Sequence, residues 1–140
     1  MLEVLIIDGY NLISSWPELA ELKQKSLEHA RDRLINLLVN FRWSVGKRVI
    51  VVFDAHLVKG GSGSYTCVDG VEVYYTPQGV TADTFIQRLV GRLISQHQVC
   101  VVTGDYEEQK SVFYLGAVRM TPREFWLLVD RATRDFEQWS

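Results

Sequence analysis

LIIDGYNLI, residues 5–13, is the stretch whose reading decides the fold. An apolar run of buried-strand character halts at Asp8-Gly9-Tyr10-Asn11 and then turns apolar again. Gly9 and Asn11 suit a turn, so a strand over Val4–Ile7 is expected to end there. Asp8 then stands at the lip of a buried sheet, where a carboxylate is costly unless something compensates it.

The chain beyond this point alternates strand and helix patterns. Glu18 to Arg42 reads as one long helix, with Leu19, Leu22, Leu27, Ala30, Leu34, Leu37, Leu38 and Phe41 at helical spacing. Pro17 sits just ahead of it, where a first-turn proline is tolerated, and Ser44-Val45-Gly46 closes the unit. Arg48–Phe53 (RVIVVF) is a continuously apolar second strand, the kind found in parallel sheets covered on both faces. Lys59 to Ser64 reads as a flexible loop and Val71–Tyr75 as a third strand. Thr81 to Gln96 is an amphipathic helix with Phe85, Ile86, Leu89, Val90, Leu93 and Ile94 facing inward. Val99–Thr103 is a fourth strand, Glu107–Leu115 a short helix and Ala117–Met120 a fifth strand. Thr121-Pro122-Arg123-Glu124 has the N-cap, proline and capping-box layout of a final helix running toward Trp139. The alternation predicts a single α/β domain over residues 1–140, with a mostly parallel sheet and helices on both faces.

A chain of 140 residues, 47% hydrophobic and 23% charged, fits an ordinary soluble globular domain. The net charge of -2 gives no global attraction to nucleic acid, although 15 Lys and Arg leave room for a local basic face. Cys67 and Cys100 are isolated from each other and from His, so reduced thiols and a cytoplasmic setting are expected. No apolar run is long enough to span a membrane, and no basic leader precedes the first strand.

In open α/β sheets, ligands bind beyond the carboxyl ends of the strands. Four acids fall there: Asp8 after strand one, Asp54 after strand two, Asp83 in the first turn of the helix after strand three, and Asp105 after strand four. Each has an ordinary structural reading. Asp83 suits a helix N-terminus, Asp105 a helix cap and Asp54 a turn. Together they would repel, and some would have to protonate unless a cation lies among them. An all-oxygen acidic site suits Mg²⁺ or Mn²⁺ rather than Zn²⁺, and such sites serve phosphoryl chemistry.

DGYN at 8–11, VVFDAH at 51–56, TAD at 81–83 and GDYEEQ at 104–109, in this order and spacing, resemble the YacP-like branch of the NYN nucleases. HLVKG at 56–60 and GAVRMTPRE at 116–124 extend the resemblance over nearly the whole chain. These domains belong to the PIN-like group of metal-dependent ribonucleases. The resemblance implies a compact nuclease fold with an acidic pocket for Mg²⁺ or Mn²⁺. It matches Asp8, Asp54, Asp83 and Asp105 to the catalytic acids, with Asp8, Asp83 and Asp105 on the metal, and Asn11 to the characteristic Asn. It also implies RNA as substrate, single-stranded or messenger, with the translating ribosome as a setting. Gln87 stands where the family tends to have Glu one turn after the TAD aspartate, and Gly104 where it often has Ser. Members often continue in a basic C-terminal helix, whereas this chain stops at Ser140.

Further substrate contacts are expected around the acids. Lys59 and Arg88, with Arg92, Arg119 and Arg123, are candidates for a basic rim that offsets the repulsion between the pocket and phosphate. Tyr10, Tyr65 and Tyr106 are placed to stack on bases, and His56 to contact RNA or move a proton. Solvated charge and plain structural hydrogen bonds are the ordinary alternatives. Gly60 to Ser64 lacks both a phosphate-loop lysine and a nucleophile elbow, and reads as a lid or a linker. Trp16 is expected to pack on the fold. Trp43, Trp126 and Trp139 are expected to pack or to contact a second copy in a homo-oligomer. These features predict a metal-dependent endoribonuclease in which water attacks the phosphodiester in line, leaving 5′-phosphate and 3′-hydroxyl ends. Gln87 and the stop at Ser140 keep a second class open: a module that binds RNA or a ribosomal surface with little cleavage. A small-molecule phosphatase fits less well, because Asp8-Gly9-Tyr10 lacks the second aspartate of a D-x-D pair.

Overall fold

Val4, Leu5, Ile6 and Ile7 are all buried in strand β1 (Glu3–Asp8), and the pleat sends them to opposite faces. Leu5 and Ile7 join one core cluster, Val4 and Ile6 the other. An unbroken apolar run therefore needs cover on both sides, and the rest of the chain supplies it. The computed structural model describes residues 3–139, with side chains to Asp135. After β1 come α1 (Gly9–Ser15), α2 (Pro17–Lys25), α3 (Leu27–Val45), β2 (Arg48–Phe53), β3 (Ser64–Val68), β4 (Val71–Tyr75), α4 (Ala82–Leu93), β5 (Gln98–Val102), α5 (Tyr106–Tyr114), β6 (Val118–Met120) and α6 (Pro122–Trp139).

The strands form one sheet in the order β3-β4-β2-β1-β5-β6. Only β3 runs antiparallel to its neighbour; every other pairing is parallel. Leu12, Ile13, Trp16, Leu19, Leu34, Leu38, Phe41 and Phe125 bring α1, α2, α3 and α6 onto one face. Ala82, Ile86, Leu89, Val90 and Val112 bring α4 and α5 onto the other. The expected architecture is the one observed. Trp16 packs as expected: it is buried, its Nε1 donates to the Pro122 carbonyl at 2.8 Å, and it stacks on Phe125. Trp43 and Trp126 are exposed, and the side chain of Trp139 lies outside the described residues.

Three elements differ from expectation. The long helix over 18–42 is two helices, broken at Ser26. That residue is extended (φ -160°, ψ 116°), and its hydroxyl accepts from the His29 N–H at 3.2 Å as the cap of α3. The leucine spacing continues across the break, which hides it. The strand β3 reads as loop because its residues are mostly exposed, as on an edge. Its signal was the Asp69-Gly70 pair, both at positive φ (46° and 89°), which closes a two-residue hairpin.

The third difference concerns the opening stretch. Asp8-Gly9-Tyr10-Asn11 is no turn. The chain passes directly from β1 into α1, and Asp8 is both the last residue of the strand and the cap position of the helix. Gly9 serves a close approach: a Cβ there would lie 2.5 Å from two Phe53 ring atoms and 3.1 Å from Val51 Cγ2. We expect Gly9→Ala to cost about 1–3 kcal/mol by overpacking this junction. Urea unfolding measures it, and an unchanged midpoint would show that the Phe53 ring moves aside freely.

Candidate active site

The strand order fixes where the acids meet. From β1 the chain builds β2 and β4 on one side, then crosses to β5 and β6 on the other. The switch point, where open α/β sheets bind ligands, therefore lies beyond the ends of β1 and β5. Asp8 ends β1, and Thr103-Gly104-Asp105 follows β5. Asn11 joins the two ends: its Oδ1 accepts from the Gly104 N–H at 2.7 Å. Gly104 is tight here, since a Cβ would lie 3.2 Å from that oxygen. The expected Asn11 is thus at the site, but its side-chain carbonyl is engaged in tying the first turn of α1 to the loop after β5.

The Asp8 side chain is surrounded by Glu108, the Asn11 N–H in the first turn of α1 and the Thr103 hydroxyl. Glu108 is the functional residue that the sequence reading missed. It projects from α5 into the interior and is 1% exposed. Its Oε2 accepts from the Thr103 hydroxyl at 3.0 Å, while its buried Oε1 has no partner as a carboxylate. Thr103, itself buried, also stands 3.4 Å from Asp8 Oδ2 and accepts from the Asp105 N–H at 3.2 Å. The available signal was Glu108 three residues after the cap Asp105, a spacing that turns a side chain back toward the helix start.

Two carboxyls in contact cannot both ionise cheaply. Burial raises the Glu108 pKa strongly; the hydrogen bond with Asp8 and the charges of Asp8 and Asp83 raise it further, against the Thr103 hydroxyl. Burial also raises Asp8, with the Asp105 charge adding to it, against hydrogen bonds from Glu108, Asn11 and Thr103. The proton therefore resides on Glu108 and bridges the pair. Among the described residues, no Lys or Arg forms an ion pair with either acid.

The other expected residues divide. Asp105 caps α5, its Oδ1 accepting from the N–H groups of Glu107 (2.9 Å) and Glu108 (3.3 Å). Asp83 accepts from Gln87 Nε2 at 3.0 Å, so Gln87 does share its helix face. Asp54 has a different task. Its Oδ2 accepts from the Ala82 N–H at 3.0 Å, and its Oδ1 from the His56 N–H at 2.9 Å and from His56 Nδ1. Burial would raise its pKa, but these donors outweigh burial and hold it below the usual carboxylate range. Asp54 thereby fixes the start of α4, and with it Asp83, and sets the orientation of the His56 ring.

Tyr10 is not offered to a base. Its ring packs on Phe53 (5.1 Å between centroids), and its hydroxyl accepts from Arg31 Nη1 at 3.0 Å. Tyr106, Lys59 and Arg88 are exposed. The glycine loop after β2 is held rather than loose. The Gly60 N–H donates to Gln78 Oε1, the Gln78 N–H to the Gly61 carbonyl, and the Gly79 N–H to the His56 carbonyl.

Among the described residues, no three His, Cys, Asp or Glu side chains are gathered closely enough to hold a metal ion as they stand. Asp8, Asp83 and Asp105 accordingly form no ready three-ligand group; the close pair is Asp8 with Glu108. The chemistry of the donors nevertheless fits a hard divalent cation. They are all oxygen, Glu108 is buried and Asp8 half-buried without an ion-pair partner among the described residues, and Glu108 Oε1 has no hydrogen-bond donor when the group is ionised.

The shared proton has a measurable consequence. Folded Glu108 holds a proton that the unfolded chain releases above the ordinary glutamate range. Its contribution is therefore complete at low pH and is lost as pH rises through the raised folded value. In EDTA, we expect the melting temperature to fall between pH 5 and pH 9. Glu108→Gln, which keeps a donor toward Asp8 without taking up a proton, should flatten that fall. Parallel slopes for parent and variant would show that Glu108 is ionised in the folded protein.

Known proteins are similar to this chain in sequence and fold. The family model of the YacP-like NYN domain matches residues 5–139. The chain is 43% identical over 138 residues to "Uncharacterized protein YacP" of Bacillus subtilis (strain 168), covering 98% of this chain and 81% of that protein. Two crystal structures of Rae1 (YacP) from Bacillus subtilis are similar. One, of a single-substitution mutant, has a TM-score of 0.83 at 39% identity and covers 98% of this chain and 80% of the other. The second has a TM-score of 0.82 at 43% identity and covers 96% and 78%. With a nuclease-type fold, an acidic pair at the switch point and a family match spanning both, the chain belongs to the YacP-like NYN domain family.

Proposed function

We propose that the protein is a Mg²⁺- or Mn²⁺-dependent endoribonuclease. The observation that carries this reading is the Asp8–Glu108 pair: a half-buried and a buried carboxyl, with Thr103 between them and no ion-pair partner among the described residues, at the ligand-binding edge of a nuclease-type sheet. Asp8, Glu108, Asp105 and Asp83 would hold the cation. Such an ion supplies Lewis acidity to a phosphodiester and neutralises its charge. The chain's own residues keep the acids in place. Asn11 ties the end of β1 to the loop after β5, Thr103 orients Glu108, and Asp54 fixes the start of α4 beneath Asp83. Exposed Lys59 and Arg88 would meet the substrate's phosphates. His56, its Nδ1 directed at Asp54, would present Nε2 to the RNA. A cytoplasmic setting on ribosome-associated messenger RNA belongs to the same reading, supported by the family resemblance and by free Cys67 and Cys100. No described helix is long and apolar enough to cross a membrane.

A labelled RNA panel incubated with and without Mn²⁺ tests the proposal. Cleavage is expected only with the metal, and Asp8→Asn should abolish it while melting as a folded protein. Binding without cleavage would favour the RNA-holding module instead, a reading to which the Gln87–Asp83 hydrogen bond lends some weight. Gln87→Glu separates the two roles of that position. In EDTA it should lower the melting temperature, because a donor becomes a like charge beside Asp83. With Mn²⁺ it should gain more stability than the parent, and half-maximal cleavage should need roughly tenfold less metal. Equal responses of the two proteins would place the cation away from Asp83.

A further inference from the structure

Helix α5 has two unlike faces. Glu108 and Val112 point into the protein. Tyr106, Lys110, Phe113 and Tyr114, at i, i+4, i+7 and i+8, share the opposite face. Tyr106 is 68% exposed, Phe113 56% and Tyr114 76%. Trp43, Tyr65 and Trp126 are exposed as well, each on a different element, but among the described residues α5 gathers three exposed rings. Cationic groups are interleaved with the rings. Lys110 is exposed between them, and the Arg119 guanidinium lies 4.9 Å from the centre of the Phe113 ring. Glu107 is the acid at the margin of this face. The stripe begins at the residue after Asp105 and runs about 12 Å away from the acids, at the helical rise per residue. It ends at a depression lined by Phe113, Gly116, Ala117, Val118 and Arg119.

We propose that this face, Tyr106–Lys110–Phe113–Tyr114 with Arg119 of β6, is a stacking platform for the single-stranded RNA that flanks the scissile bond. The inference rests on the nuclease reading and adds a subsite to it. Aromatic faces accept any base, and interleaved cations follow the backbone, which is how unpaired nucleic acid is held without sequence preference. The start of the stripe beside Asp105 and the charge of Lys110 and Arg119 favour RNA over a protein on this face. RNA held at the acids must leave them along some surface, and the acids repel phosphate.

Anisotropy of a fluorescein-labelled 15-nucleotide oligouridylate, measured in EDTA so that no cleavage intervenes, tests the platform. Tyr106→Ala and Tyr114→Ala should each weaken binding by about tenfold, the scale of one base stack. Tyr114→Trp should retain affinity. Lys110→Ala and Arg119→Ala should each lower the salt slope of binding by about one phosphate contact. Thermal melts confirm that these surface variants are folded. Unchanged affinity in both tyrosine variants, or no binding by the parent, overturns the platform; the first result would assign the face to a protein partner. If binding depends on the tyrosines but Mn²⁺ elicits no cleavage, the platform stands and the nuclease reading falls. If the tyrosine variants bind and cleave RNA like the parent, the nuclease reading stands and the platform falls.

Discussion

A single hydrogen bond between two acids organises the functional edge of this protein. Asp8 is delivered by β1, a central strand of the sheet, and Glu108 by α5 from across the switch point. Neither forms an ion pair with a basic residue among the described residues, and burial raises Glu108 far enough to keep its proton. Nearby residues position the pair. Thr103 has one hydroxyl proton, and at 3.0 Å it goes to Glu108 rather than to Asp8 at 3.4 Å. Its oxygen in turn receives the Asp105 N–H, which holds Asp105 at the head of α5. Asp105 then caps the helix that carries Glu108. The interactions close a loop in which each acid is held by what holds the other.

A second set of contacts acts at one remove. Asp54 lies on the same sheet edge, yet its donors come from His56 and Ala82. It is held below the usual carboxylate range, whereas Asp8 is held above it. The difference follows from what surrounds each: at Asp8, burial with the Asp105 charge outweighs the hydrogen bonds it receives, whereas at Asp54 two backbone N–H groups and an imidazole outweigh burial. Two aspartates that look alike in sequence are therefore shifted in opposite directions. Only the Asp8 environment would gain from a cation, while Asp54 already has its compensation.

The sheet, its strands and its covering helices were legible because burial writes directly into sequence. RVIVVF must be buried on both faces, and a helix with apolar residues at 86, 89 and 90 must lie against something. The acidic edge was legible for the same reason, since Asp8 interrupts an apolar run at a place where a strand must stop. What stayed hidden was what depends on partners distant in sequence. Gly9 looks like a turn residue until Phe53 is seen beneath it. Tyr10 looks available until Phe53 and Arg31 occupy it. Glu108 sits among ordinary solvated helix residues in GDYEEQ, and only the crossing of α5 over the end of β1 makes it a core residue. Ser26 is one polar residue in a helical run, and its capping role depends on backbone angles that no spacing reveals.

The same helix that buries Glu108 displays its aromatic stripe, and the two faces constrain one another. Glu108 can reach Asp8 only if α5 starts at Asp105 and presents positions 108 and 112 to the sheet. With that rotation set, the helical period leaves 106, 110, 113 and 114 facing outward. Whatever these outward residues do, they do it at a fixed distance from the acidic pair, on a rigid element rather than a loop. Rotating α5 to bury the rings would withdraw Glu108 and leave Asp8 with one donor fewer, beside only the Asn11 N–H and the Thr103 hydroxyl. The exposure of Tyr106, Phe113 and Tyr114 is thus bound to the chemistry of Asp8: the requirement that places the second carboxyl in the interior also holds the rings in solvent.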